Sequence, residues 1–251
     1  MTAIKIKLKI RNGKEGGKNM IDVLRREIKY KVSAEAASRI KCRLSNVLSG
    51  DVHNTNEGYI VRSLYFDTPA NVDYYDKAAG VDYRKKIRLR IYNANADNAK
   101  LELKEKQNIF QRKRSLIVTR AEAEALISGQ YECLREKGEF GSYIYALMNT
   151  ECYRPSCVVQ YVRQAYVSDT NDIRITFDRR LSANEGNFNI FDRCLQLYPV
   201  WLSENTIMEV KYNHFLLSYI KNMIDEADKL HVSSSKYCQC RMFGLGGEMY
   251  E

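Results

Sequence analysis

The chain is poor in the residues that interrupt structure. It has three prolines and thirteen glycines in 251 residues, which excludes long disordered linkers and collagen-like repeats. It contains no apolar run of about 18 residues, so no transmembrane helix is expected. The first twenty residues, MTAIKIKLKIRNGKEGGKNM, lack the apolar stretch of a secretory signal. Seven cysteines (42, 133, 152, 157, 194, 238, 240) are scattered and odd in number. Cys238 and Cys240 form a C-x-C with no second pair at zinc-finger spacing, which fits reduced thiols in the cytoplasm. The three histidines (53, 214, 231) show no metal or nucleophile spacing. The eighteen tyrosines show no clustering into stacking platforms beside the basic strands, which disfavours a nucleic-acid binder.

What is present is charge. The net formal charge is +9, but residues 1–19 hold six Lys/Arg and one Glu. The rest of the chain is close to balanced, so function must follow from where the cations point. Glu15-Gly16-Gly17 can be encoded by codons resembling a ribosome-binding site, with Met20 following at start-codon distance. Residues 1–19 are therefore read as a basic leader of translated upstream sequence, the alternative being a basic arm for an acidic surface. Residues 20–251, in a chain 45% hydrophobic, are enough for one core and are expected to form a single domain.

Residues 25–32 (RREIKYKV) alternate polar and apolar side chains, the signature of a strand with one polar face. Ser33 is placed to cap a helix over 34–48. Gly58–Thr68 reads as a strand, and 71–79 as a short helix closed by Gly80. Strands over 83–92, 100–107 and 110–119, joined by turns at 93–98 and 108–109, predict an antiparallel meander. Helices follow over 121–128 and 139–150, strands over 157–168 and 172–178, a strand over 205–213, and an apolar helix over 214–224.

Side chains two apart on a strand share a face. That rule groups Glu27 with Lys29; Lys86, Arg88 and Arg90; Glu102, Lys104 and Lys106; Arg112 with Arg114; Tyr161 with Arg163; Arg174, Thr176 and Asp178; and Glu209 with Lys211. Lys113 falls on the opposite face from Arg112 and Arg114 and reads as a surface residue. For any one strand, a solvated outer face is the ordinary explanation. Repetition of Arg and Lys at mid-strand in strand after strand argues instead for cations that meet a polyanion. A barrel with charges inside and helices packed outside satisfies both faces. The predicted fold class is α+β: a closed antiparallel β-barrel of about eight strands with external helices.

The ordered set Glu27-Ile28-Lys29, Arg88-Leu89-Arg90, Glu102-Leu103-Lys104, Arg112/Arg114, Arg163, Arg174, Glu209 and Lys236 resembles the triphosphate tunnel metalloenzymes (CYTH-like). The closer resemblance is to the VTC-type polyphosphate polymerase domain of the vacuolar transporter chaperone complex, here as a bacterial stand-alone form. SLYFDT at 63–68, Tyr74-Tyr75, MEVKY at 208–212 and Ser235-Lys236-Tyr237 support it. One of the two glutamates that simpler tunnel triphosphatases carry on the first strand is missing here, which favours the polymerase branch.

The resemblance implies transfer of the γ-phosphate of ATP to a growing polyphosphate chain, with Mn²⁺ or Mg²⁺. A metal-dependent triphosphatase or polyphosphatase, or a non-catalytic polyphosphate-binding module, is the alternative. Lys236, Arg88, Arg90 and Lys104 are the implied catalytic group. Lys29, Arg112, Arg114, Tyr161, Arg163, Arg174 and Ser235 are the implied substrate contacts. Glu209 is the first choice as metal ligand; Glu27 and Glu102 are either ligands or partners that orient the cations. ATP and polyphosphate or triphosphate are the expected partners, with no nucleic acid. Eukaryotic members work in a membrane complex, so association with a membrane-protein partner is compatible with the resemblance.

Overall fold

A computed structural model describes residues 25–108, 110–201, 205–225 and 229–245. The leader over 1–19 and Met20 lie outside the described residues. The strands are β1 (Arg25–Val32), β2 (Ser49–Gly50), β3 (Tyr59–Asp67), β4 (Tyr83–Ile91), β5 (Asn98–Gln107), β6 (Phe110–Thr119), β7 (Arg154–Ser168), β8 (Ile173–Asn184), β9 (Tyr198–Pro199), β10 (Thr206–Asn213) and β11 (Lys229–His231). The helices are α1 (Ala34–Leu44), α2 (Val72–Ala78), α3 (Arg120–Ile127), α4 (Gly138–Thr150), α5 (Ser218–Asp225) and α6 (Lys236–Gly244).

All strand pairs are antiparallel, in the order β11-β1-β10-β8-β7-β3-β4-β5-β6, with β2 on β7 and β9 on β8. The α+β class therefore stands, but the expected closed barrel of about eight strands does not. The structure is one 11-stranded sheet whose end strands β6 and β11 do not pair with each other. The end strands explain why. β11 has three residues, too short to template a long partner. β6 carries Arg112, Lys113 and Arg114 in sequence along its middle, the first two exposed, and successive charges discourage edge-to-edge pairing.

The sheet is nevertheless strongly curved. β1 and β5 are six strand steps apart, which in a flat sheet is roughly 29 Å. Yet Lys104 Nζ on β5 lies 3.6 Å from Glu27 Oε2 on β1. The sheet must fold into a trough with these two side chains meeting across its concave face.

The convex face is apolar and carries the helices. Leu64, Phe66, Ile87, Leu89, Leu101 and Leu103 pack with Ala123 and Leu126 of α3 and Ile144 and Met148 of α4. Ile173, Ile175, Phe177, Met208 and Val210 pack with Ile40 and Leu44 of α1 and Ile220 and Ile224 of α5. The concave face changes character along its length. In β8, Arg180 adopts a left-handed conformation, φ 55°, and the β7–β8 register shifts between Gln160 and Val162. This bulge inserts one residue and reverses the parity beyond it. Leu181 and Ala183 therefore join Val61, Cys157, Val159 and Tyr161 in an apolar patch, which Tyr237 and Cys240 of α6 cover.

Several boundaries differ from the sequence reading. α1 ends at Leu44 and leaves Val47 exposed. The helix expected over 214–224 begins at Ser218, because β10 runs to Asn213 and His214 turns the chain with φ 59°. Ser33 and Thr119 cap α1 and α3 by accepting from Ala36 and Glu122 backbone N–H groups.

Candidate functional site

The middle of the concave face is built from charges held against one another. Glu209, buried on β10, accepts hydrogen bonds from Lys211 Nζ at 2.9 Å and Lys236 Nζ at 3.1 Å. Lys29 Nζ and Arg163 Nη2 stand 3.8 Å from it. Asp178, fully buried on β8, accepts from Arg163 Nε at 2.6 Å, Arg163 Nη2 at 2.7 Å and Lys236 Nζ at 2.6 Å. Glu27 is shared among Lys29 at 3.2 Å, Lys104 at 3.6 Å and Lys211 at 3.9 Å. The Tyr161 ring lies under both Arg163 and Lys236, at 5.2 and 4.9 Å.

A second cluster lies on β4, β5 and β6. Glu102 accepts from Arg88 Nε at 2.6 Å, lies 3.7 Å from Arg90 Nη1 and is in direct contact with Lys113 Nζ. Arg88 Nη1 also donates to Tyr65 OH at 3.1 Å, and Arg90 Nε to Ser63 Oγ at 3.2 Å. Toward one mouth, Arg174 pairs with Asp51 at 2.6 Å and donates to Tyr59 OH at 3.2 Å. Near α6, Lys86 donates to Ser235 Oγ at 2.6 Å. Among the described residues, the ion pairs and hydrogen bonds of this face gather Lys29, Lys86, Arg88, Arg90, Lys104, Lys113, Arg163, Arg174, Lys211 and Lys236 around five carboxylates: Glu27, Asp51, Glu102, Asp178 and Glu209. A concave surface with twice as many cations as anions is poised for a multiply charged anion.

The electrostatics follow from this crowding. Burial alone would raise the Glu27 carboxyl, but Lys104, Lys211 and Lys29 override it and hold it at about 2. Burial likewise opposes ionisation of Glu209, and Lys211, Lys236, Lys29 and Arg163 hold it well below the ordinary carboxylate range. Lys236 would be lowered by burial, yet Asp178 and Glu209 raise it far above the usual lysine value. It therefore remains an ammonium and can act through charge and hydrogen bonding, not as a base. Lys104 is pulled down to about 8 by burial and by Lys29, Lys211 and Arg88, with Glu27 opposing.

The structure thus gathers Lys29, Arg88, Arg90, Lys104, Tyr161, Arg163, Arg174, Glu27, Glu102, Glu209, Ser235 and Lys236 on or beside one concave face. It does not bring in Arg112 and Arg114. The β5–β6 pairing sets Gln107 opposite Phe110, so Lys104 faces Lys113 and Glu105 faces Arg112. Directly opposed residues share a face, which puts Lys113 in the trough and the two arginines behind it. Arg114 Nη2 donates to Glu105 at 3.1 Å and its guanidinium stacks over Tyr143 and Phe140 of α4. Lys113 accordingly reaches Glu102 on the concave face while its side chain stays 47% exposed. The β5–β6 register is the signal that settles which face is inward. Asp178, Lys211 and Lys86 share the charged faces by strand parity but are not among the expected site residues; Asp51, in a loop, carries no such signal.

Among the described residues no group of three or more His, Cys, Asp or Glu is placed to hold a metal by itself. Glu27 and Glu209 share Lys29 and Lys211 as partners. Two such carboxylates suit a hard divalent cation when phosphate oxygens supply the remaining ligands. Glu102, 2% exposed and paired with Arg88, Arg90 and Lys113, sits where a partner that orients those cations would.

α6 is anchored from the other side. Tyr237 donates to Asp67 Oδ2 at 2.5 Å and stacks on Tyr65 with centroids 4.9 Å apart. Asp67 also accepts from the backbone N–H groups of Thr68, Asp73 and Tyr74. The SLYFDT segment therefore fixes the residue next to Lys236.

A curved antiparallel sheet with helices behind it and a cation-rich concave face defines an anion-binding α+β domain. The chain belongs to the VTC domain family, whose model matches residues 24–243. A search of curated proteins found no match. Among solved structures, a candidate adenylate cyclase from Bacillus halodurans is similar at 13% identity, TM-score 0.43, over 81% of this chain and 86% of that one. A protein from Pyrococcus horikoshii OT3 is similar at 12% identity, TM-score 0.42, over 87% and 99%. The Schizosaccharomyces pombe Mediator head module contains a chain similar at 9% identity, TM-score 0.45, over 82% and 99%. At scores this low, the likeness supports no statement about activity.

Proposed function

We propose that this VTC domain is an ATP-dependent polyphosphate polymerase, transferring the γ-phosphate of ATP to the terminal phosphate of a growing chain held along the trough. The observation that carries the reading is the twofold excess of cations over carboxylates on the concave face. Phosphoryl transfer needs positioning and charge stabilisation more than covalent chemistry from the protein. Arg88, Arg90, Arg163 and Arg174 offer guanidinium forks for phosphate oxygens, and Lys29, Lys104, Lys113, Lys211 and Lys236 offer compact charges. Lys236, held by Asp178 and Glu209, is placed to stabilise the phosphoryl group in flight, with Ser235 beside it. Glu209 and Glu27 are the residues that would hold Mn²⁺ or Mg²⁺. Such an ion neutralises charge on the transferring phosphate.

Incubation with ATP and Mn²⁺, followed by gel analysis of the products, tests the reading. It predicts a ladder of long polyphosphate. Free phosphate without polymer would instead assign a triphosphatase, and binding of polyphosphate without ATP turnover a non-catalytic module. Glu209→Gln is expected to abolish turnover while the protein stays folded.

A further inference from the structure

Three aromatic rings gather at the mouth of the trough where Arg174 lies. Tyr92 immediately follows β4 and continues the concave-face series Lys86, Arg88, Arg90. Tyr59 opens β3 and is the cross-strand partner of Arg163. His53 comes from the segment between β2 and β3. The His53 and Tyr92 rings are near-parallel, 10° apart in plane, with centroids 6.0 Å apart. Tyr59 closes the group at 5.9 Å from His53 and 6.1 Å from Tyr92.

His53 is exposed and Tyr92 is 46% exposed, while half-buried Tyr59 packs against the edge of the apolar patch. The group is also tied to the charged site. Arg174 Nη2 donates to Tyr59 OH, and Asp51 accepts both from Arg174 and from the His53 backbone N–H at 3.0 Å. One carboxylate thus sets a phosphate-facing arginine and the backbone beneath an aromatic ring. Solvent-facing rings beside cations are the combination that binds a nucleobase and its phosphates together. The absence of stacking platforms expected from the tyrosine distribution does not hold here, because Tyr59 and Tyr92, far apart in sequence, come from neighbouring strands.

We infer that Tyr92, His53 and Tyr59 form a nucleobase site, which takes the base of a nucleoside triphosphate whose phosphates lie inward along Arg174, Arg163 and Arg90. The inference rests on the phosphate-binding reading of the trough and adds to it a reason for using a nucleotide rather than inorganic phosphate. Tyr92 supplies the most accessible ring face, and His53 stacks against Tyr92 to hold it.

Calorimetric titration of the full chain with ATP and, separately, with inorganic tripolyphosphate at the same Mg²⁺ concentration tests it. Tyr92→Ala should weaken ATP binding roughly tenfold, the scale of one lost base–aromatic stack, and leave tripolyphosphate unchanged. Tyr92→Phe should restore ATP affinity. His53→Ala, in an exposed loop, should act like Tyr92→Ala and serves should that variant fold poorly. Equal losses for both ligands, or no loss for ATP, would overturn the base site. So would wild-type protein that binds tripolyphosphate but not ATP. Wild-type protein that binds neither would remove the phosphate reading itself, and the base site with it.

Discussion

Lys104 shows how one side chain reports on the whole trough. Its ammonium titrates at about 8 because it is buried and crowded by Lys29, Lys211 and Arg88. A bound phosphate chain supplies negative charge and must raise that value. Around pH 8 the complex then holds more protons than the free protein, so binding takes protons up and weakens as the pH climbs past 8. Calorimetry in two buffers of different ionisation enthalpy should detect the uptake, and Lys104→Met should remove it. Glu102 makes the complementary case. Replacing it by Gln leaves Arg88, Arg90 and Lys113 without their shared counter-charge, at a cost of about 3 kcal/mol. Urea denaturation should show that loss, and added tripolyphosphate should recover part of it by supplying the missing anion. Glu27 sets the acid limit. Its carboxyl is lowered from 4.5 to about 2, so its contribution to stability is present above pH 4.5 and is lost as the pH falls toward 2. At this scale, alternation along each strand was enough to find Lys29, Arg88, Lys104, Arg163 and Glu209. It failed for Arg112 and Arg114 because parity within a strand does not say which of its two faces is inward; the hairpin register does.

Among the elements, α6 is the one whose placement matters most for the site. The sequence over 236–244 has little amphipathic pattern to mark a helix, and its anchors lie far away in the chain. Tyr237 reaches Asp67, Arg241 pairs with Glu185 at 2.6 Å and donates to Asn71, and Cys240 packs with Cys157 in the apolar patch. Tyr237→Phe should keep the stack on Tyr65 but release the hydroxyl from Asp67. Turnover of ATP should fall several-fold with KM little changed. In a Lys236→Ala background the same substitution should have no further effect on turnover, since it acts by positioning Lys236. Additive losses would point to a structural role alone. Gly58 is a second element-scale constraint. It has φ 85°, and a Cβ there would meet the Arg163 carbonyl. Gly58→Ala should disturb the start of β3 beside Arg163 and lower stability by about 1–2 kcal/mol in thermal or urea unfolding. β1, β3–β7, and the cores of α1 and α3 were legible because their apolar periods and caps are local. The two-residue strands β2 and β9, the extension of β8 past Asp178 and the bulge at Arg180 were not, because they are fixed by pairing with distant strands.

For the whole molecule, the instructive feature is a trough that is curved but unclosed. The sequence pattern required a sheet with one charged and one apolar face, and the structure has it. Closure was a further step that the pattern could not supply: it depends on β11 being short and β6 being charged at the edge. Curvature alone still brings Lys104 to Glu27 and sets both halves of the sheet around one space. None of the helices among the described residues is long and apolar enough to cross a membrane. The overall charge of +9 matters less than the facing of about ten cations across that space. Binding of a phosphate chain there should weaken steeply with salt. The most direct test compares two residues adjacent on β6 that face opposite ways. Inorganic tripolyphosphate is titrated into wild type, Lys113→Gln and Arg114→Gln at low and moderate salt. The concave-face account predicts salt-sensitive binding that Lys113→Gln weakens and Arg114→Gln leaves intact. Binding that fails in the wild type, or that depends on Arg114 and not on Lys113, would contradict it.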